Sequence, residues 1–342
     1  MKLKALSSIV LACALLITGC SSTAEKSQDK PSEGKSASVT YPIKVKHAFG
    51  ETEIKKQPEK VVTISWGNQD VPLALGVVPA GVSKANYGKA DANGLLPWTA
   101  AKYKELGVEK PVTFNDVDGL DYEAISNAKP DVILAAYSGI TQEEYNLLSK
   151  IAPVVAYPKL AWQTYWRDQI TTNATAIGKK NEGDKLVSDL EKLIAEKTSK
   201  YNNIKGKKVA FCYFNPADLG KFYVYLTTDP RAAYLTDLGL EVPDSVKKLG
   251  ETSKSFALEI SSENIDKLSD IDVMVTYGSG TLLKQLQADK LLGTVPAIKR
   301  GSVAVIEDGS SLAASCTPSA LSIPATIDEY LKIIGEAADK VQ

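Results

Sequence analysis

The chain predicts an α/β fold of two similar lobes with mostly parallel sheets, joined by a single long helix. Three observations carry that prediction. Short apolar runs of strand length alternate with helical patterns, as in a mostly parallel sheet covered by helices on both faces. The alternation occurs twice, once on each side of the middle of the chain. Between the halves lies the most regular helical stripe in the sequence, Leu186, Leu190, Leu193, Ile194 and Tyr201.

The chain opens with Lys2 and Lys4, runs apolar from Ala5 to Ile17, and closes on Ile17-Thr18-Gly19-Cys20. A basic start, a short apolar stretch and small residues before a cut read as a secretory signal. The stretch is shorter than the roughly 20 residues a spanning helix needs. Its last four residues resemble the lipobox of bacterial lipoproteins, which implies lipidation of Cys20. Residues 21–40 are polar and hold only Val39 as a bulky apolar side chain. Such a segment cannot offset its own ordering entropy and suits a flexible tether.

A small hairpin over Ile43 to Ile54, broken at Phe49-Gly50, starts the folded part. Strands follow at Val61–Ser65, near Gly81-Val82, at Asp131–Ala135 and at Val154–Tyr157. Helices are expected at Gln69–Leu75, Tyr122–Asn127 and Thr141–Lys150, where Thr141 with Glu144 forms a capping box. Helices over Thr164–Ile177 and Glu182–Asn202 come next, the second about 30 Å long at 1.5 Å per residue. The second half expects strands at Lys208–Phe214, Asp272–Thr276 and Val303–Ile306. Its helices are Arg231–Leu238, Ser262–Leu268, Thr281–Leu286 and Ile323–Val341. Glu123 and Glu263 each open a short helix that runs into a buried strand, a weak internal repeat. The expected organisation is a signal over 1–19, a tether over 20–40, an N-terminal lobe over 41–163, bridging helices over 164–203 and a C-terminal lobe over 204–342.

With 40 basic and 41 acidic residues, the chain lacks the concentrated basic character of a nucleic-acid binder. Only three of the basic residues are arginines, Arg167, Arg231 and Arg300, and arginine supplies a fixed fork for planar anions. Arg300 reads as a surface turn residue. His47 is the only histidine, which removes the common zinc hydrolase patterns and a plausible Ser-His-Asp triad. It reads as a surface residue. Beyond the signal and Cys20 only Cys212 and Cys316 remain, either as one bridge or as buried thiols.

The segment from Pro58-Glu-Lys-Val-Val-Thr through Ala74-Leu75-Gly76-Val77-Val78-Pro79-Ala80-Gly81-Val82 resembles the opening of iron-siderophore-binding lipoproteins. Lys129-Pro130-Asp131 with the following strand, and Leu148-Ser-Lys-Ile-Ala-Pro153-Val-Val, are similar to the same family. These are the substrate-binding components of ABC importers, in the helical-backbone class that also handles cobalamin and haem. The resemblance implies two Rossmann-like lobes, a ligand cleft between them, and docking on permease arginines through one glutamate per lobe, here Glu123 and Glu263. First-turn glutamates also suit the helix dipole for purely structural reasons.

The expected function is therefore capture of a ferric siderophore outside the cell and delivery to an ABC permease and its ATPase. The protein would be a lipid-anchored monomer on the outer face of the cell membrane of a Gram-positive bacterium. The alternatives are a corrinoid or haem binder of the same class and, from a different class, an extracellular hydrolase. No catalytic residue, resident cofactor or protein metal site is expected, since a chelator already wraps its iron. Such a ligand needs aromatic walls and a few charged or hydroxyl contacts. Trp66, Tyr137 and Tyr277 stand at C-terminal strand ends, where α/β sheets bind ligands. Trp98, Trp162 and Trp166 are further aromatics, each with a packing role as the alternative. Arg231 opens a helix, where the dipole gives no reason for a positive charge. It is the first choice for an anionic ligand contact, with an ion pair to Asp229 as the competing reading. Arg167 is the second cationic candidate.

Overall fold

The computed structural model describes residues 39–116 and 118–341. The signal over 1–19, Cys20 and the tether residues 21–38 lie outside the described residues.

The chain begins with the antiparallel hairpin β1 (Ile43–His47) and β2 (Gly50–Ile54). The N-terminal sheet is built from β3 (Val61–Thr63), β4 (Gly81–Ser83), β5 (Thr113–Phe114), β6 (Val132–Ala135) and β7 (Val154–Ala156). Its order is β5-β4-β3-β6-β7 and every pairing is parallel. Between these strands lie α1 (Asp70–Ala74), α2 (Pro97–Glu105), α3 (Tyr122–Asn127) and α4 (Gln142–Leu148). The capping box on α4 is complete: the Glu144 backbone donates to the Thr141 hydroxyl at 3.2 Å, and the Thr141 backbone donates to the Glu144 carboxylate at 2.7 Å.

Strand alternation explains how the sheet is covered. Val62, Ile133, Ala135 and Val154 face one hydrophobic cluster, and Val61, Val132, Leu134 and Val155 face another. Successive side chains of a strand point to opposite faces, so a strand apolar at every position needs cover on both sides.

Two helices follow, α5 (Trp166–Ala176) and α6 (Lys180–Thr198). They run antiparallel, as Ala174 lies against Gly183 while Arg167 pairs with Glu191. A Cβ at Gly183 would collide with the Ala174 methyl, so glycine permits this close approach. α5 packs on the N-terminal lobe, and the 19-residue α6 packs on α5 and on the last helix of the chain. Leu190 and Ile194 are the buried centre of its apolar stripe.

The C-terminal sheet contains β8 (Val209–Asn215), β9 (Asp218–Tyr225), β10 (Ala257–Ser261), β11 (Val273–Gly278) and β12 (Val303–Glu307). Its helices are α7 (Pro230–Asp237), α8 (Asp244–Glu251), α9 (Leu282–Ala288), α10 (Pro296–Arg300), α11 (Ser311–Ser315) and α12 (Ser322–Ala338). The order is β10-β9-β8-β11-β12. β8, β11 and β12 are parallel, while β9 and β10 add antiparallel to the edge. The second lobe thus repeats the parallel core of the first and extends it with two antiparallel strands that the sequence reading passed over.

Two expectations for single residues are corrected. His47 is buried at 6% exposure, because the hairpin folds onto β7. Thr52 donates to the Val154 carbonyl, which leaves its oxygen to accept from His47 Nε2 at 2.8 Å. Burial lowers the His47 pKa. Arg300 is no simple turn residue, since its guanidinium donates to the Asp272 carbonyl and, at 2.8 Å, to the Ser302 hydroxyl. Cys212 and Cys316 are both free, buried thiols.

Candidate functional site

The two sheets present their C-terminal strand ends to a shared cavity of about 640 Å³, within the usual range for small-ligand sites. Trp66 follows β3, Ser83 ends β4, Asp116 follows β5, and Tyr137 follows β6; all line the cavity. From the other lobe come Tyr213, Tyr225, Arg231, Phe256, Tyr277 and Asp308. Register explains the C-terminal wall. Tyr277 pairs with Tyr213 across β11 and β8, and β8 and β9 place Tyr223 opposite Tyr213. With two-residue periodicity, Phe211, Tyr213, Tyr225 and Tyr277 share one face. Phe211 meets Tyr225 and Tyr277 edge-on at 5.3 and 5.1 Å.

The N-terminal wall is fastened from behind by α5. Asn68 is fully buried and donates from Nδ2 to the carbonyls of Ile64 and Tyr137, at 2.8 and 3.0 Å. Its Oδ1 accepts from the Tyr137 amide and from Asn173 of α5. Gln169 of α5 donates to the Trp66 carbonyl at 2.9 Å. The loops that carry Trp66 and Tyr137 are therefore held by the same amide network. Ser65 and Trp162, both on the cavity wall, have φ of 63° and 59°, a region that side-chain-bearing residues adopt at a cost. A Cβ on Gly139 would run into the Trp162 indole, so the missing side chain makes room for that ring.

Arg231 reaches the cavity with its charge already matched. Its Nε donates to Asp229 Oδ1 at 2.8 Å and its Nη2 to Asp229 Oδ2 at 2.6 Å. Asp229 is fully buried and also caps α7 by accepting from the Arg231 amide at 2.8 Å. The guanidinium lies over the Tyr225 ring at 4.1 Å. Burial alone would lower the Arg231 pKa, but the Asp229 contacts hold it well above the ordinary value. Both readings of Arg231 thus meet in one place: it lines the cavity, and Asp229 neutralises it.

Trp66, Tyr137, Arg231 and Tyr277 are brought together on the wall of this cavity. Trp166 and Arg167 are not. They border a separate cavity of about 430 Å³ beside α7. Arg167 lies over the Trp166 ring at 4.2 Å and pairs with Glu191 at 2.7 Å and Asp237 at 2.9 Å. Trp166 is buried and donates to Asp237 at 2.8 Å. These side chains join α5 to α6 and α7, which turns them away from the cavity between the lobes. Trp98 also lies outside it and donates to buried Asp70 at 3.0 Å.

Of the further aromatics Trp162 also lines the cavity, and so do Tyr87, Tyr225 and Phe256, which had not been singled out as site residues. Tyr225 was within reach of a sequence reading, since it ends an alternating run directly before the helix that bears Arg231. Tyr87 closes the gap between lobes. Its hydroxyl donates to Asp308 at 2.6 Å and accepts from the Gly309 amide at 3.2 Å. Below it, Asp70 accepts from Thr99 at 2.8 Å and from Ser319 of the other lobe. Glu123 and Glu263 are exposed, each in the first turn of its element: α3 for Glu123, and a 3-10 turn over Ser262–Leu268 for Glu263. Among the described residues, no group of three His, Cys, Asp or Glu could hold a metal ion.

Residues 61–308 match the periplasmic binding protein family. The crystal structure of Streptococcus pneumoniae TIGR4 PiaA in complex with ferrichrome is similar at a TM-score of 0.85 and 54% identity, covering 88% of this chain and 100% of that one. The probable siderophore-binding lipoprotein YfiY of Bacillus subtilis is 25% identical over 319 residues, 88% of this chain and 89% of the relative. The Fe(3+)-citrate-binding protein YfmC of the same organism is 25% identical over 305 residues, 88% of each chain.

Proposed function

This chain belongs to the periplasmic binding protein family, and from that premise we propose that it captures an intact ferric siderophore for an ABC importer. It is a binding protein and not an enzyme. The observation that carries the reading is the interlobe cavity, walled by aromatic rings at the strand ends. Iron held within a chelator asks for shape, ring contacts and a few polar groups. Trp66, Tyr137, Trp162, Arg231 and Tyr277 are the proposed ligand contacts named from sequence, joined by Tyr87, Tyr225 and Phe256. The relative at 54% identity holds ferrichrome, which favours a hydroxamate over the citrate named for a relative at 25%.

Delivery would use Glu123 and Glu263, one exposed carboxylate on each lobe, against cationic partners on the permease, with the cytoplasmic ATPase behind it. Cys20 would carry the lipid that keeps the protein at the outer face of the membrane. The test is a tryptophan-fluorescence titration with ferrichrome, ferric citrate, a ferric tris-catecholate, haem and cobalamin. Saturable binding of a ferric chelate, with no response to the iron-free ligand, is expected. Tight binding of haem or cobalamin with no response to any ferric chelate would replace this reading with the corrinoid or haem one.

A further inference from the structure

The charge on the cavity wall points to a preference that ring contacts alone do not set. Two cations line the cavity, Lys84 and Arg231. Lys84 is exposed, and Arg231 is neutralised by Asp229 through two short contacts. Three carboxylates line the same cavity, Asp116, Glu144 and Asp308. None forms an ion pair among the described residues, so the wall carries an excess of negative charge.

Asp116 is the most informative of the three. One carboxylate oxygen accepts from the Ser83 hydroxyl. The other is shut off from solvent and has no hydrogen-bond partner among the described residues. Burial pushes the Asp116 pKa up, while the Ser83 hydroxyl and the nearby Asp121 and Ser65 backbones hold it down and the Asp121 charge adds to the rise; no cation is among these neighbours. Glu144, on the wall of the same cavity, caps α4 by accepting from the Thr141 amide at 2.7 Å. In a partly enclosed cleft, charges of one sign focus their field on the ligand.

We propose that Asp116 and Glu144 make the cavity an electrostatic filter that favours a positively charged ferric chelate over a neutral one of the same metal shell, and rejects polyanionic chelates. The proposal rests on the ferric-chelate reading above and adds the charge class of the ligand and the residues that select it. A ferric trihydroxamate is neutral in its metal shell, so a pendant ammonium makes it cationic. A ferric tris-catecholate carries three negative charges and would meet the carboxylates directly.

A matched pair of ligands isolates the effect. Ferrioxamine B carries a terminal ammonium, and N-acetylation removes that one charge without touching the hydroxamates. Affinities of the purified full chain in detergent are measured for both, for ferrichrome and for a ferric tris-catecholate, at low and physiological salt. The parent should prefer ferrioxamine B over its acetylated form by roughly 3- to 10-fold at low salt, with the ratio shrinking as salt rises. Asp116→Asn with Glu144→Gln should bring that ratio close to one and raise affinity for the tris-catecholate. Both replacements keep the hydrogen-bonding shape, and Gln also serves in a capping box. The ratio between two ligands on one variant is insensitive to a general loss of folded protein. Equal affinity of the parent for the two ferrioxamines, or an unchanged ratio in the double variant, overturns the filter and leaves ferric-chelate capture standing. A parent that binds no ferric chelate at all overturns the functional reading and this proposal with it.

Discussion

Replacing Arg231 by methionine tests whether its charge belongs to the ligand or to the fold. The substitution keeps a long side chain over the Tyr225 ring but removes both donors to Asp229, which is 0% exposed. Asp229 then keeps a single contact, the backbone amide at 2.8 Å. Leaving a buried charge without its partner costs about 3–5 kcal/mol. For a body of this size each kcal/mol lowers the melting temperature by roughly 2–4 °C, so a drop of about 6–20 °C is expected. Adding Asp229→Asn removes the stranded charge and retains a good N-cap, and should restore stability to within about 2 kcal/mol of the parent. Urea unfolding of parent, both single variants and the double variant completes the cycle. A double variant no more stable than Arg231→Met would refute the argument that the stranded carboxylate is the cause. A single variant that loses less than about 1 kcal/mol would show that Asp229 is better solvated than the structure places it.

Further outcomes are expected. Tyr87→Phe removes the 2.6 Å bond to Asp308 across the cleft and should speed ferric-chelate dissociation several-fold in stopped-flow with little change in the association rate; an unchanged off-rate would remove the bond from the closure. Glu123→Ala with Glu263→Ala should leave chelate affinity within about twofold while reducing uptake of labelled iron, because a pair desolvated in an interface matters where an exposed one does not; full uptake by the double variant would reject the docking role. Asp70, fully buried, has its pKa raised from 3.8 to about 6 by burial. The folded state therefore holds a proton that the unfolded chain releases, so the Asp70 contribution falls as pH rises between those values, by roughly 3 kcal/mol at most. Stability measured against Asp70→Asn should accordingly decline from pH 4 to pH 7, and a difference independent of pH would show that Asp70 is already ionised in the fold at acid pH. Cys20→Ser should release the protein from membranes, and continued retention would refute lipidation there.

Much of the architecture was legible because it is written in local periodicity. The apolar runs at Val61, Val132, Val154, Val209, Val273 and Val303 each became a strand, and the stripe through Leu190 and Ile194 became the long helix α6. α3 falls on the predicted residues, Tyr122–Asn127, since its cap and apolar positions lie within one turn of each other. Where the pattern was weak, elements were missed. β9 alternates buried and exposed positions only over its second half, as an antiparallel strand with one solvated side allows. α2 buries only Trp98, Thr99 and Tyr103, too few positions to announce an amphipathic stripe.

The cavity divides along the same line. Strand-end position alone nominated Trp66, Tyr137 and Tyr277, because in a parallel sheet the residues beyond the C-terminal ends share one edge. Sequence could also put Asp229 next to Arg231, two residues apart, but not say that the pair would be buried together. Arg167 shows the limit most clearly. Its partners Glu191 and Asp237 lie 24 and 70 residues away, and only the packing of α5 against both α6 and α7 brings them within reach. The charge balance of the cleft has the same origin. Asp116, Glu144 and Asp308 come from separate loops and a helix of two lobes, and a field is a sum over positions in space. Composition, period and local caps therefore determined the lobes and the helix between them. Tertiary packing decided which charges are neutralised, which face the ligand and which are left without a partner.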